Sequence, residues 1–368
     1  MTFIQPTITK VQPLLARHFS TVTKTSNNTN IIKRSVLISQ SNDIFTNLAL
    51  EDWFYRNYDF TNHHIMMLWR NNPCIVIGRH QNPWLEANTT NLGHIAENGV
   101  QLARRNSGGG TVYHDRGNLN VTFFTGRKEY NRRHNLELIT RAIFKEYGIK
   151  IDISPREDLC INNIKVSGTA AKLGQPSAYH HCTLLVNVDK ANLSRALQKR
   201  EYEIKTNATK SVKSQIVNLC ELNPRITIDD LLYVIGREYM NPQNSFQIIN
   251  PTEQQFPGIT EIRDTLRDWE WCYGKTPKFS VTKSFIGNFN SISKNLKFTI
   301  NIEQGRINDM ILYVPSGEEK VITSLKGQKF TEDIINCLEC PLSGEENNLV
   351  DDKDRLVIEC IRKVMISV

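Results

Sequence analysis

Apolar residues recur along the chain at two spacings, and each spacing predicts a different element. One helical face near the start is marked by Phe45, Leu48, Ala49 and Trp53. Asn42 or Asp43 can cap this helix, because a short polar side chain accepts hydrogen bonds from its first free N–H groups. A second helical face is marked by Leu136, Ile139, Ile143 and Tyr147, and Gly148 can end it. Residues 354–364 predict a closing helix.

Shorter apolar runs between turn residues predict strands. They cover residues 65–69, 74–78, 100–104, 119–124 and 179–188, and later 279–285, 296–302 and 307–314. Asn162 and Asn163 separate two apolar stretches and tolerate positive φ, so they predict a tight hairpin turn. The runs lie too close together for a helix between every two strands. We therefore expect a mixed or largely antiparallel sheet.

Chain length and local composition predict more than one domain. The chain has 368 residues, which is more than one compact core usually organises. Residues 242–257 are rich in Pro, Asn and Gln, which places a boundary near residue 250. We expect an α/β (α+β) protein with a larger domain over residues 31–250 and a small α+β accessory domain over residues 251–368.

The basic residues are concentrated in a leader. The first 42 residues contain no acid, and their basic residues supply most of the net charge of +7. Such a leader, rich in Ser and Thr, is typical of a mitochondrial transit peptide, predicted here over residues 1–30, with a non-targeting tail as the alternative. The nearly neutral remainder gives no support for a nucleic-acid partner. No apolar run is long enough to span a bilayer, so no membrane partner is expected.

The eight cysteines form no dense disulfide framework, which is consistent with a reducing compartment such as the mitochondrial matrix. Cys337 and Cys340 make a lone C-x-x-C motif. Every histidine lies at or before His181, so neither a local zinc site nor any other metal site is expected.

The densest run of functional residue types is RRNSGGGTVYHDRGNLN, residues 104–120. Three successive glycines remove side chains from one loop, so a ligand can approach the backbone and its N–H groups can face an anion. Arg105 offers a fork of donors for phosphate or carboxylate. A flexible surface turn is the alternative. The polar residues that follow argue against it: His114, Asp115, Asn118 and Asn120.

Other segments carry further candidates. Lys165 is followed by small residues in KVSGTAAKL, and its ammonium can stabilise the negative charge that develops as an amine attacks an acyl carbonyl; a solvated lysine is the alternative. His180 and His181 begin an apolar run, where a strand turns only one of them inward. Cys182 is a possible nucleophile or inert packing. Trp69 can line an acyl pocket or simply fill a core.

These segments, in this order, resemble the lipoate–protein ligase A family and, within it, the lipoyltransferases of animal mitochondria. The motifs that carry the resemblance are R-R-x-S-G-G-G-x-V-[YF]-H-D and K-[VI]-S-G-[ST]-A. Residues 269–280, WEWCYGKTPKFS, resemble the family's entry into its accessory domain. The resemblance implies a biotin/lipoate ligase-like catalytic domain with a curved mixed sheet and helices.

The resemblance also implies residue roles. Lys165 would be catalytic, Trp69 would lie at the acyl pocket, and residues 205–212 would close over a nucleotide. The residues implied to bind the lipoyl-nucleotide are Arg105, Ser107, Gly108, Gly109, Gly110, Thr111, Val112, Tyr113, Asn118, Asp158, Lys165, His180 and Thr183.

The implied activity is protein lipoylation by an acyltransferase, a lipoyl amidotransferase without a tightly bound cofactor. The lipoyl group would come from lipoyl-AMP or from the lipoylated glycine-cleavage H protein. It would pass to a lysine of the lipoyl domains of 2-oxoacid dehydrogenase complexes in the mitochondrial matrix. The nucleophile is the acceptor's amine, and the sequence identifies no clear base for it. The likeness further implies a monomer.

Three positions depart from the ATP-using bacterial ligases. Glu157 stands where those enzymes often have Asn, Lys172 replaces an Arg, and Cys182 replaces a Gly. A carboxylate is unfavourable near a triphosphate, and lysine cannot reproduce a bidentate arginine contact, so these departures argue against activation of free lipoate. The alternatives are a complete ligase that uses ATP and Mg²⁺, a Cys182-dependent octanoyltransferase, and an inactive module that only docks lipoyl domains.

Overall fold

The computed structural model describes residues 32–89, 91–198, 203–240, 246–289, 292–313, 319–322 and 326–330. The predicted leader, the C-x-x-C motif and the predicted closing helix lie outside these described residues. Within them, no helix is both long and apolar enough to cross a membrane.

The strands are β1 Lys33–Ser39, β2 His63–Trp69, β3 Cys74–Ile77, β4 Gln101–Arg104, β5 Val112–His114, β6 Asn118–Gly126, β7 Asp152–Ile153, β8 Leu159–Ile161, β9 Ile164–Lys165, β10 Thr169–Leu173, β11 Ser177–Leu185, β12 Glu203–Thr206, β13 Phe246–Ile249, β14 Phe279–Phe289, β15 Ile292–Glu303, β16 Arg306–Tyr313 and β17 Glu319–Ile322. The helices are α1 Ile44–Asn57, α2 Pro83–Glu86, α3 Leu92–Ile95, α4 Arg132–Tyr147, α5 Lys190–Ala196, α6 Leu219–Leu222, α7 Ile228–Tyr239 and α8 Ile259–Arg267, with a π-helical turn at Glu270–Gly274.

The predicted strands and the first two predicted helices are present. Asp43 caps α1 by accepting a hydrogen bond from the N–H of Thr46, and Gly148 ends α4 in the left-handed conformation. Asn162 and Asn163 form the predicted turn between β8 and β9 with φ values of 50° and 64°. Strand β1 and helix α7 were not predicted.

The central sheet has six strands in the order β10-β11-β6-β2-β1-β13. Strand β1 pairs in parallel with both β2 and β13, and the remaining pairs are antiparallel. The prediction of a mixed sheet is therefore confirmed. Smaller sheets, β4-β3-β5 and β7-β8-β9, lie beside it.

The central sheet separates two buried clusters of apolar side chains. Met66 and Met67 are neighbours on β2 and are both fully buried, but successive side chains of a strand point to opposite faces. Met66 packs in the cluster that contains α4 and α7, whereas Met67 packs in the cluster that contains α1. Burial on both faces explains why β2 is apolar throughout instead of alternating.

A second sheet is antiparallel and has the order β12-β14-β15-β16-β17. Strand β12 comes from the first part of the chain and pairs with β14. Conversely, Ile259 and Leu266 of α8 pack in the α1 cluster of the first part. These contacts cross residue 250 in both directions, and the predicted domain limits stay a prediction.

Candidate active site

A cavity of about 250 Å³ opens where the glycine loop, β9, β10, β11 and the segment at residues 209–214 meet. Most of the predicted site residues line it: Trp69, Arg105, Gly109, Gly110, Thr111, Val112, Asp158, Lys165 and Thr183. Residues that lie far apart in sequence therefore share one space. Lys165 in particular lies in the same cavity as the triple-glycine loop, as the proposed chemistry requires.

The glycine loop is held close to another turn of the chain. Gly109 has a φ of +87°, which strains residues with a side chain. A Cβ added at Gly78 would lie 2.2 Å from the carbonyl oxygen of Gly109, so both positions require glycine. The N–H groups of Gly108, Gly109 and Gly110 have no hydrogen-bond partner within the described part of the chain. They are available to an anion.

Arg105 shapes this loop instead of offering a free fork to the ligand. It is only 4% exposed, and its Nε–H donates to Ser107 Oγ. Its Nη1 donates to the carbonyl of Val76, and its Nη2 donates to the carbonyls of Gly108 and Gly110 at 2.6 and 2.7 Å. Burial lowers the pKa of Arg105 to about 10, so the guanidinium remains charged at neutral pH. Arg105 therefore mainly holds the glycine loop in place, whereas its guanidinium was predicted to bind the ligand.

A chain of hydrogen bonds runs from Arg105 to Trp69 along one wall of the cavity. His181 Nε2 lies 2.8 Å from Ser107 Oγ, and His181 Nδ1 lies 2.8 Å from a carboxylate oxygen of Glu51. Thr122 donates to the same Glu51 oxygen, and the Trp69 indole N–H donates to Thr122. His181 thus bridges Ser107 and Glu51 through its two ring nitrogens. We call Trp69, Arg105, His114 and His181 the inner wall.

His114 has a defined tautomer in this inner wall. The side-chain N–H₂ of Asn47 donates to Asn71 Oδ1, so Asn71 presents its own N–H₂ to His114 Nδ1 at 2.9 Å. Nδ1 therefore accepts, and the proton of the neutral ring lies on Nε2, which is buried without a partner among the described residues. Burial, with Arg105 and His181 nearby, lowers the pKa of His114 to about 3. The ring stays neutral under physiological conditions.

The outer part of the cavity carries cations near solvent. Lys165 Nζ lies 3.0 Å from Asp158 Oδ1, and both side chains are partly exposed. Arg132, Arg156 and Lys210 also line the cavity. Arg156 and Lys210 are exposed and have no ion pair or hydrogen bond among the described side chains. We call Arg132, Arg156, Lys165 and Lys210 the rim. Because Asp158 is the one carboxylate among the described residues that line this cavity, the site favours an anionic ligand.

Some predicted residues do not reach the cavity. His180 is 0% exposed on the opposite face of β11, with its ring stacked on Phe123 and Nδ1 near Asn135. The pleat of the strand turns His181 to the cavity instead. The remaining predicted residues that do not line it are Ser107, Gly108, Tyr113 and Asn118. Ser107 still contacts the wall through His181, and Asn118 donates to Asn120, which lines the cavity.

The three departures from the bacterial ligases have different positions. Glu157 binds Arg132 at 3.0 Å, and Lys172 binds Asp52 at 3.1 Å with its ammonium over the Tyr55 ring. Neither of the two departing residues lines the cavity, so their identity does not by itself exclude a triphosphate. Cys182 touches the cavity, but its side chain packs in the α4 cluster, and burial raises the pKa of its thiol to about 12.

The predicted closing segment does lie over the cavity. Ser211 Oγ accepts hydrogen bonds from the N–H of Thr111 and from the side chain of Gln81. Its own N–H donates to a carboxylate oxygen of Glu86. Gln81, Glu86, Arg132 and Arg156 were not among the predicted site residues. Polar and basic residues are common on surfaces, so no local signal distinguishes these four.

The cavity combines a bare glycine loop, a lysine and an inner wall that contains Trp69, an arrangement that suits an anionic ligand. A family model, the lipoyl protein ligase A/B catalytic domain, matches residues 43–239. The chain is 40% identical to mitochondrial lipoyl amidotransferase LIPT1 of Homo sapiens over 348 residues, covering 90% of this chain and 91% of that protein. It is 32% identical to lipoate-protein ligase A of Bdellovibrio bacteriovorus, covering 86% and 94% of the two chains.

The crystal structure of P. falciparum LipL1 in complex with lipoate is also similar. It superposes with a TM-score of 0.57 at 27% sequence identity and covers 91% of this chain and 100% of that chain. The chain belongs to the lipoyl protein ligase A/B family. The predicted family, its biotin/lipoate ligase-like fold and its general activity, protein lipoylation by an acyltransferase, are therefore confirmed.

Proposed function

We propose that the protein transfers a lipoyl group, from lipoyl-AMP or from the lipoylated glycine-cleavage H protein, to a lysine of lipoyl domains in 2-oxoacid dehydrogenase complexes, and that it acts in the mitochondrial matrix as a monomer. The observation that carries this proposal is the shared cavity of Lys165 and the unpartnered glycine-loop N–H groups. The acyl chain lies against Trp69 in the inner wall, and the phosphate faces the rim. A mitochondrial location is supported by the similarity to mitochondrial lipoyl amidotransferase LIPT1.

The reaction follows from the charges. The acceptor amine attacks the acyl carbonyl carbon and a C–N bond forms. The acyl C–O bond to phosphate breaks, AMP leaves with the electron pair of that bond, and one proton of the amine is released to water. Lys165 stabilises the developing oxyanion and the leaving phosphate, which carry more negative charge than the substrate. The segment at residues 209–214 covers the anhydride and limits its hydrolysis. The amine enters deprotonated. It comes from the acceptor, so no nucleophile of this chain is required.

The test offers three donors to one apo lipoyl domain: lipoyl-AMP, lipoate with ATP and Mg²⁺, and lipoylated glycine-cleavage H protein. The product is measured as the mass increase of the acceptor. We expect the lipoylated domain with lipoyl-AMP. Folded protein that yields no product with any of the three donors would overturn the proposal.

A complete ATP-dependent ligase is a second candidate, because Glu157 and Lys172 do not line the cavity. Pyrophosphate release from lipoate and ATP supports it, and lipoylation only from lipoyl-AMP or from the lipoylated H protein removes it. A docking module without activity is opposed by the unpartnered N–H groups beside Lys165, since docking needs no such site.

A further inference from the structure

The mouth of the cavity is formed largely by one segment of the chain. Most of the lining residues that are exposed to solvent belong to it: Thr209, Lys210, Val212 and Ser214. A lysine side chain of an acceptor is short compared with a folded domain. When its amine reaches an acyl carbonyl inside the cavity, the residues that flank this lysine therefore contact the mouth. The outer surface of the segment is a candidate for recognising the acceptor.

The segment is bonded to the body of the protein on both sides of Val212. Before it, the N–H of Ser211 donates to a carboxylate oxygen of Glu86 at 3.1 Å. After it, the N–H of Lys165 donates to the carbonyl of Gln215 at 3.0 Å. The second bond attaches the segment to the main chain of the residue that is proposed to stabilise the oxyanion. A partner bound to the outside of the segment is therefore positioned relative to the reacting atoms.

Val212 exposes an apolar side chain at this mouth. At 59%, it has the largest exposed fraction among the large apolar side chains of the described residues. A single exposed apolar side chain is common and by itself indicates no partner. Its position beside the cavity, on a segment bonded at both ends, allows apolar atoms of an arriving acceptor to cover it and exclude water.

Cations flank Val212 on both sides. Lys210 and Lys213 are exposed and have no ion pair or hydrogen bond among the described side chains. Residues 204–220 contain a further lysine, Lys205, and no acidic residue. Lys213 does not line the cavity, so a nucleotide inside leaves it available to a partner outside. This surface therefore favours a partner with carboxylates next to its target lysine.

We propose that Lys210, Val212 and Lys213, which we call the mouth patch, bind the acceptor domain through an apolar side chain and carboxylates that flank its target lysine. The inference rests on the proposed function, because it assumes that the acceptor is a folded lipoyl domain. It adds a selection that the cavity cannot supply, since a lysine side chain carries no information about the domain that presents it. An acceptor with basic residues at the same places is repelled.

The experiment compares two nucleophiles, an apo lipoyl domain and hydroxylamine, with lipoyl-AMP as the donor and the full chain as the enzyme. Hydroxylamine is a small amine that forms a hydroxamate without contacting the mouth patch, and its rate in the absence of protein is subtracted. The measured quantity is kcat/KM for the domain divided by kcat/KM for hydroxylamine.

Substitution of the mouth patch should lower this ratio. For Lys213→Glu we expect a fall of about fivefold or more, because an attraction to a carboxylate becomes a repulsion. For Val212→Ser we expect a fall of about fivefold, because the apolar contact is lost.

Two control variants match these substitutions at a distance from the mouth. Lys33 is exposed on β1, which three strands separate from β10 in the central sheet. Phe144 is 56% exposed on α4, and neither residue lines the cavity. Lys33→Glu and Phe144→Ser should leave the ratio within about twofold.

Salt supplies a measurement that needs no substitution. Higher ionic strength should raise the KM of the unsubstituted protein for the domain, and should raise it less in Lys213→Glu. An unchanged ratio in both mouth-patch variants, or an equal fall in the controls, overturns the proposal. If a variant folds poorly, a KM of the unsubstituted protein that does not depend on salt overturns it instead. Hydroxamate formation without any lipoylation of the domain would show that the proposed function itself is wrong.

Discussion

The inner wall and the rim of the cavity both contain ionisable side chains, but they hold them in opposite ways. In the inner wall, Arg105 and His181 use their nitrogen atoms in bonds to other parts of the protein. In the rim, Lys165 is partly buried and forms one ion pair, with Asp158. Arg156 is exposed and unpaired among the described residues. A buried polar group must be satisfied by the fold itself, whereas a partly hydrated cation can exchange water for a ligand.

Arg104 and Arg105 extend this lesson to neighbouring residues. Arg104 is 0% exposed, and it donates to the carbonyls of Gln81 and Cys272. It therefore attaches the turn that follows β3 to the π-helical turn before β14. Arg105 attaches the glycine loop to β3. Two adjacent arginines thus both act as fixed links, although ligand binding was predicted for Arg105.

Replacement of the rim lysine should have the largest effect. For Lys165→Met we expect the kcat of lipoyl transfer from lipoyl-AMP to fall by about two orders of magnitude, because one charge that stabilises the transition state is lost. Lys190→Met is the control, since Lys190 binds Glu221 at the surface, outside the cavity. A Lys165→Met protein with undiminished kcat would show that the rim does not contribute to the chemistry.

Replacement of an inner-wall arginine should affect stability first. Arg105→Met leaves the carbonyls of Val76, Gly108 and Gly110 without their donor, and we expect the free energy of unfolding to fall by about 3 kcal/mol. Arg156→Met should change it by less than about 0.5 kcal/mol. Urea unfolding measures both values. If both variants lost the same free energy of unfolding, the proposed difference between the inner wall and the rim would be wrong.

The neutral histidine of the inner wall predicts a dependence of stability on pH. The pKa of His114 is about 3 in the folded protein, against 6.5 in an unfolded chain. Between these values the unfolded chain binds more protons, so stability falls as pH is lowered from 6.5. The slope from this one residue is about 1.4 kcal/mol per pH unit at most.

The measurement is urea unfolding at several pH values between 6.5 and 5. His114→Gln should reduce the slope of the unfolding free energy against pH by the contribution of about one proton. This reduction is expected whatever the effect of the substitution on stability at pH 7. His94→Gln is the control because His94 is exposed. An identical slope in His114→Gln and the unsubstituted protein would mean that His114 does not stay neutral.

The buried thiol should have the smallest effect on activity. Cys182→Ala should transfer lipoyl groups within about twofold of the unsubstituted rate, since a thiol with a pKa of about 12 is a poor nucleophile at neutral pH. Stability should fall by about 1 kcal/mol because a small cavity forms in the core. Well-folded Cys182→Ala without activity would restore the thioester route of an octanoyltransferase.

Much of the fold was open to prediction from local patterns. Asp43 and Gly148 delimit helices because capping depends on the few residues at each end. Helix α7 also carried a readable signal, with Ile228, Leu231, Leu232 and Ile235 on one face, but it was missed. Strand β1 is short and uniformly apolar in its centre, so its period does not distinguish it from a buried helical segment.

The choice between His180 and His181 could not be made from the sequence. Both residues belong to one strand, and the register of that strand decides which side chain faces the cavity. The role of Arg105 was equally hidden, because its acceptors include a carbonyl on β3 that is remote in sequence. Glu157 and Lys172 could be recognised as unusual, but their ion pairs with Arg132 and Asp52, and their absence from the cavity lining, could not be predicted.

Residue identity and short-range spacing were enough to predict the family, the chemical types gathered at the site and many of the elements, although not β1 or α7. Which cations the protein itself satisfies, and which face the cavity, was set by the packing of the folded chain. That division depends on burial and on hydrogen-bond partners from distant strands, which no local pattern contains.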